Sequence, residues 1–126
     1  MTARILVIED DKILRKACEV SLAKQGFTVL TASDGEEGIR QVELHLPDLV
    51  LLDMRMPKLS GLDTLAALKQ NEKTKSIPVV ILSNSSGEAD MRKAQELGAV
   101  GYWIKASLSL HELGDRISIF LSSSSV

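Results

Sequence analysis

Pro47-Asp48-Leu49-Val50-Leu51-Leu52-Asp53-Met54-Arg55-Met56-Pro57 is an apolar run that stops on a carboxylate. The aliphatic block from Leu49 to Leu52 is too short for a helix of ordinary length and reads as a strand buried on both faces. Asp53 stands where that strand emerges. Pro57 removes a backbone donor and biases Met56 toward extended geometry, so neither the strand nor a helix continues easily through residues 54–57. A loop follows. An acid at the carboxyl end of a central strand, with a loop beyond it, lies at the edge where open α/β sheets hold their ligands.

The flanking sequence repeats this pattern. Residues 4–8, Arg-Ile-Leu-Val-Ile, form a short aliphatic strand that ends in Glu9-Asp10-Asp11. Over residues 12–25 the positions Ile13, Leu14, Ala17, Cys18, Ser21 and Leu22 recur at helical spacing, and Gly26 supplies a stop. A second strand over 27–32 leads through Ser33-Asp34-Gly35, which offers capping side chains, into a helix over 36–46 with Ile39, Val42 and Leu46 inward. Pro47 ends it.

Beyond the 54–60 loop, Leu62, Leu65, Ala66 and Leu68 mark a third helix over 61–71, followed by a polar connector. Residues 77–83 read as the fourth strand, with Pro78 tolerable only near its start. A loop over 84–87 precedes a helix over 88–97 with Ala89, Ala94 and Leu97 inward, closed by Gly98. The fifth strand covers 99–105. Leu110, Leu113, Ile117 and Leu121 place a last helix over 109–121, weakened by Gly114 at about 1 kcal/mol relative to alanine. Residues 122–126 read as a polar, disordered tail, leaving 1–121 as one domain.

Composition narrows the class. A chain of 126 residues with 44% hydrophobic content and a mean hydropathy of +0.08 can bury a core without disulfides or structural metal. At 3% aromatic content that core is aliphatic. A net charge of −2 and a pI near 5.7 give no electrostatic reason to bind nucleic acid or an anionic membrane. The single cysteine, Cys18, reads as a small core residue in a reducing compartment. No apolar run approaches the roughly twenty residues a membrane span needs, and the chain opens into a strand with no signal-peptide pattern. The expected location is the cytoplasm. His45, His111 and the methionines 54, 56 and 91 read as surface or packing residues.

Five apolar strands alternating with five helices describe a parallel sheet covered on both faces, with right-handed crossovers. In such a sheet the strand ends share one edge. Glu9, Asp10, Asp53, Ser83 and Lys105, far apart in sequence, are thereby expected in a single crevice. Three carboxylates held together repel, and at least one should have its pKa raised unless a cation is present. An oxygen-only donor set with few protein ligands suits Mg2+, which keeps several waters. An Asp53 oxygen could then attack a phosphoryl group whose charge is met by metal, by Lys105 and by the Ser83 hydroxyl.

Ile5-Leu6-Val7-Ile8-Glu9-Asp10-Asp11, Leu51-Leu52-Asp53-Met54-Arg55-Met56-Pro57 with Gly61 beyond, Ile81-Leu82-Ser83 and Gly101-Tyr102-Trp103-Ile104-Lys105 resemble the receiver domains of two-component response regulators. The resemblance covers essentially the whole chain. It implies a flavodoxin-like α/β fold, a five-stranded parallel sheet of order 2-1-3-4-5 flanked by five helices. It also implies that Asp53 accepts a phosphoryl group from a sensor histidine kinase or phosphotransfer protein. Mg2+ would be held by Asp10, Asp53 and the Arg55 backbone carbonyl, with Glu9 acting through water. Ser83 and Lys105 would contact the phosphoryl oxygens. Tyr102 matches the aromatic switch residue, and the face made by the fourth helix, fifth strand and fifth helix would meet an output protein. Binding to nucleic acid or membrane is not implied.

The sequence departs from the family in places. Lys105 precedes Ala106 where the family has a proline in a cis peptide, which implies a trans or less firmly held loop. Asn84 follows the hydroxyl where a small residue is usual, and Arg55 and Ser85 occupy the positions that influence dephosphorylation. An interaction-only receiver that is never phosphorylated is the alternative that Ala106 and Asn84 favour. A haloacid-dehalogenase-type phosphatase would need a second acid where Arg55 stands. A flavin carrier would need a Ser/Thr/Gly phosphate loop, and neither the 10–12 nor the 53–55 loop resembles one. The chain reads either as a free-standing regulator or as the receiver part of a longer protein.

Overall fold

The computed structural model describes residues 2–84 and 87–124. Five strands, β1 (Arg4–Ile8), β2 (Thr28–Ala32), β3 (Leu49–Asp53), β4 (Val79–Ser83) and β5 (Gly101–Ile104), form one parallel sheet of order β2-β1-β3-β4-β5. The order and the parallel sense are those expected. Every residue of β3 and of β4 is buried, as strands covered on both faces require.

Five helices supply the covers: α1 (Lys12–Lys24), α2 (Gly35–His45), α3 (Gly61–Gln70), α4 (Glu88–Glu96) and α5 (Leu110–Ser124). Alternate strand residues point to opposite faces, so the core divides in two. Leu6, Ile8, Val50, Leu52, Val79 and Ile81 pack with Val42, Leu65, Leu68 and Ala94 on one side. Ile5, Val7, Leu49, Leu51, Val80 and Leu82 pack with Cys18, Leu22, Leu113 and Ile117 on the other. No helix among the described residues is long and apolar enough to cross a membrane.

Local chemistry sets the helix starts. Asp11 caps α1 by accepting from the Ile13 and Leu14 amides, Asp34 caps α2 from the Glu37 amide, and Ser60 caps α3 from the Asp63 amide. Ser109 and Glu112 form a reciprocal capping box on α5. Gly26 and Gly98, at φ of +100° and +102°, reverse the chain after α1 and α4.

Several boundaries and faces differ from the sequence reading. Ile13, assigned inward, is 82% exposed, because the first turn of α1 lies beyond the sheet edge with no layer above it. Ala89 in the first turn of α4 is exposed in the same way. Leu46 is not helical: it is the cap of α2, at φ 45°, and more than half exposed. A short 3₁₀ turn over Lys105–Ser107, unanticipated, follows β5. The helix α5 continues through Ser124 instead of ending at 121, since serine costs only a few tenths of a kcal/mol in a helix and no glycine or proline intervenes. The last two residues of the expected tail lie outside the described residues.

Candidate functional site

Sheet register brings the strand ends together. Ile8 pairs with Leu52, so Glu9 comes level with Asp53; Asp53 pairs with Leu82 and Ser83 with Ile104, so Lys105 follows one step on. Around this edge lies a cavity of about 600 Å³ whose walls include Glu9, Asp10, Asp53, Ser83 and Lys105. All the acids, the hydroxyl and the lysine expected at the crevice are there.

Carboxylate oxygens of Glu9, Asp10 and Asp53 lie within 4.8 Å of one another. Their surroundings differ sharply. Glu9 and Asp53 are 4% and 7% exposed, and Ser83 is 3% exposed, whereas Asp10 faces solvent. Lys105 Nζ lies 2.8 Å from Glu9 Oε1 and 2.9 Å from Asp53 Oδ1. This ammonium bridges both buried carboxylates.

Burial pushes the Glu9 carboxyl up to about 7, and the charge of Asp53 adds to the rise. Bonds from Lys105 and from the Asp11 amide, at 3.1 Å to Glu9 Oε2, oppose it without prevailing. A raised carboxylate was expected from mutual repulsion; the larger cause is desolvation. For Lys105, burial alone would lower the pKa, but hydrogen bonds to Glu9 and Asp53 outweigh it and hold the ammonium above its usual range.

The loop that carries Lys105 contains no cis peptide. The lysine makes two ion pairs, and its side chain is only 18% exposed. Arg55 and Asn84 line the cavity from exposed positions at its rim. Ser85 lies outside the described residues.

Gly61 lies directly against the backbone at the end of β3. Its amide donates to the Met54 carbonyl at 2.9 Å, and a Cβ there would run into the backbone of Asp53 and Met54. Only glycine permits this approach.

Glu9-Asp10-Asp11 divides its parts between a helix cap and the acidic cluster. Asp11 is the cap, while Glu9 and Asp10 face the cavity cluster. Tyr102 and Trp103 point to opposite faces, as adjacent strand residues must. Tyr102 packs on the layer of α3 and α4 and borders a groove of about 240 Å³ with Met91, Ala94 and Val100, away from the acids. Trp103 packs toward α5, with the Arg116 guanidinium 5.8 Å from its ring centre. Cys18 is buried beneath the site, its thiol pushed up to about 11 by burial and then by the charge of Glu9. It is a core residue, as expected.

One residue escaped the sequence reading. Arg15 of α1 donates from Nη1 to the Glu9 carbonyl at 2.8 Å. Helical side chains tilt toward the helix N-terminus, so a long cation five residues after Asp10 can reach back to the strand end; that spacing was the available signal.

A family model described as the response regulator receiver domain matches residues 5–118. The chain is 33% identical over 126 residues to the alkaline phosphatase synthesis transcriptional regulatory protein PhoP of Bacillus subtilis, covering all of this chain and 51% of that one. It is 35% identical over 102 residues to Protein PilG of Pseudomonas aeruginosa, covering 81% of this chain and 76% of that one. The chain thus spans about half the length of PhoP, and 44% of the transcriptional regulatory protein AfsQ1 of Streptomyces coelicolor. Among solved structures, the phosphorylated cyanobacterial phytochrome response regulator RcpA superposes with a TM-score of 0.85 at 31% identity, covering 98% of this chain and 96% of that one. The chemotaxis protein CheY4 of Vibrio cholerae superposes at 0.88 with 22% identity over 94% of this chain and 98% of that one, a likeness of fold. The chain belongs to the receiver domains of two-component response regulators.

Proposed function

We propose that this receiver is a phosphorylation-controlled switch in which Asp53 accepts a phosphoryl group from the phosphohistidine of a sensor kinase or phosphotransfer protein. The observation that carries this is the environment of Asp53: a buried carboxylate that faces a solvent-open cavity, paired with Lys105 and within ligand distance of Glu9 and Asp10. An Asp53 oxygen attacks phosphorus, the P–N bond to the imidazole breaks, and the imidazole takes the electron pair and a proton. The product on this chain is an acyl phosphate.

The acidic residues fit a hard divalent cation. When all three are ionised, the carboxylates outnumber the one ammonium by two charges on an all-oxygen donor set, which suits Mg2+. Asp10, Asp53 and the Arg55 carbonyl would hold it, with Glu9 acting through water. When bound, it would offset the negative charge of the phosphoryl oxygens. Lys105 exchanges Asp53 for a phosphoryl oxygen, and the Ser83 hydroxyl donates to another. Tyr102 then turns inward, and the face of α4, β5 and α5 meets an output protein in an altered form. Arg55, at the rim, reaches over the site and pairs with the phosphoryl group, setting its lifetime. Such a switch turns over no outside metabolite and works in the cytoplasm.

Intact-mass measurement after incubation with Mg2+ and acetyl phosphate tests the reading. One added phosphoryl group, absent in Asp53→Asn, supports it; none in either protein favours an interaction-only receiver. Arg55→Ala with an unchanged phosphoryl lifetime would remove the role given to Arg55. The interaction-only alternative draws on Ala106 and Asn84; the two ion pairs of Lys105 support the phosphorylation reading against it.

A further inference from the structure

Arg15 is half-buried in α1, and its Nη1 donates to two successive backbone carbonyls, strongly to Glu9 at 2.8 Å and weakly to Asp10 at 3.4 Å. Both residues contribute a carboxylate to the acidic cluster. They are not equally fixed. The Glu9 carboxylate is buried and bonded to Lys105 and to the Asp11 amide. Asp10 is exposed, so no packing aims its side chain, and its direction follows from the backbone that carries it. That backbone is anchored before the turn by the β1 pairings and after it by the Asp11 cap. Between those anchors the carbonyls of the turn are held by Arg15.

We infer that Arg15 is a positioning residue for the cation site: by gripping the Glu9 and Asp10 carbonyls it aims the Asp10 carboxylate into the cavity and so raises affinity for a divalent cation. The inference rests on the metal-dependent reading above and adds to it a residue that touches neither metal nor phosphoryl group.

Charge and position make opposite demands here, which makes the idea testable. A fixed positive charge near a cation site repels the cation, so by Coulomb's law alone removing Arg15 should tighten Mg2+ binding. If Arg15 acts by aiming Asp10, removing it should weaken binding, since partners that orient metal ligands typically contribute 10- to 100-fold in affinity. The sign decides.

The experiment is calorimetric titration of the full chain with MgCl2 at pH 8 and fixed ionic strength, for the parent, Arg15→Met and Arg15→Lys, with urea unfolding to establish that each variant is folded. Arg15→Met is expected to lose about tenfold in affinity, and Arg15→Lys, whose ammonium can still donate to both carbonyls, to stay within about threefold of the parent. Should Arg15→Met not fold, Arg15→Gln is read in its place, with a smaller loss. Binding as tight as the parent's, or tighter, in the apolar or amide variant overturns the inference. So does an equal loss in Arg15→Lys, which would mean general damage to α1. A parent that binds no Mg2+ overturns the metal reading itself, and this inference with it.

Discussion

Replacing Glu9 with glutamine should change how stability depends on pH, and the size of the change follows from its surroundings. In the folded, metal-free protein the Glu9 carboxyl titrates at about 7, against an ordinary value of 4.5. Between those values the folded chain holds a proton that the unfolded chain has released, so stability falls as pH rises. Below 4.5 both states are protonated, and above 7 both are ionised, so the loss is confined to that window. A difference of this size corresponds to about 3 kcal/mol. Glu9→Gln, which cannot ionise, should lack this fall.

The assay is urea unfolding from pH 4.5 to 8 without divalent cation, followed through Trp103, the only tryptophan. Subtracting the variant's stability from the parent's at each pH removes the titration of every group that does not interact with Glu9. The difference should drop by about 3 kcal/mol across the window and then level off. Saturating Mg2+ at pH 8 should restore most of the parent's loss, since a ligand at a hundred times its Kd stabilises by about 2.7 kcal/mol, and should restore less in Glu9→Gln. A difference flat to within about 0.5 kcal/mol would refute the reasoning, because it would mean that Lys105 already neutralises Glu9 at no cost in desolvation.

Lys105→Met removes the ammonium shared by two buried carboxylates, and should destabilise the metal-free protein at pH 8 by about 3 kcal/mol, since breaking a buried ion pair strands its partner; a loss below about 1 kcal/mol in urea unfolding would contradict the pairing. Gly61→Ala sets a Cβ against Met54 Cα at 2.8 Å and Met54 O at 2.9 Å, backbone that cannot step aside, and should lower stability by about 1–3 kcal/mol while suppressing phosphoryl uptake by intact mass. Gly114→Ala meets only the end of the Gln25 side chain, which can swing away from the 3.5 Å bond it makes to the His111 carbonyl. Its thermal unfolding should therefore stay close to the parent's, the gain of about 1 kcal/mol in helix propensity offsetting the lost contact.

The sheet was legible because its central strands are short, aliphatic and buried on both faces, a pattern few other structures produce. Helix faces were less so. Spacing shows which residues share a side but not where the neighbouring layer stops, and Ile13 and Ala89 both lie in first turns beyond that limit. The acids at the strand ends were found for the same reason as the strands: each interrupts an apolar run at the sheet edge. Which of the two acids after β1 would be buried was not readable, since Glu9 and Asp10 are adjacent in sequence and the fold alone decides which of them faces solvent. Arg15 was missed because it acts on backbone carbonyls, which no residue type marks, so that only its spacing from the strand end could have pointed to it.

Lys105 stands at the point where the electrostatics of the site meet the mechanics of the fold. Its ammonium divides itself between Glu9 and Asp53, and its backbone continues a strand whose two aromatic residues project into different layers, Tyr102 toward α4 and Trp103 toward α5. On the proposed function, phosphorylation of Asp53 replaces one of those carboxylates with a group that carries more charge and reaches farther from the β3 backbone. The ammonium must follow that charge or leave it unpaired in a buried site, and an unpaired charge there costs several kcal/mol. A shift of the lysine is therefore driven by a free energy comparable with the few kcal/mol that separate two packings of a strand and its neighbouring helices. Because β5 is an edge strand, paired on one side only with β4, it is the strand of this half of the sheet least restrained against such a pull.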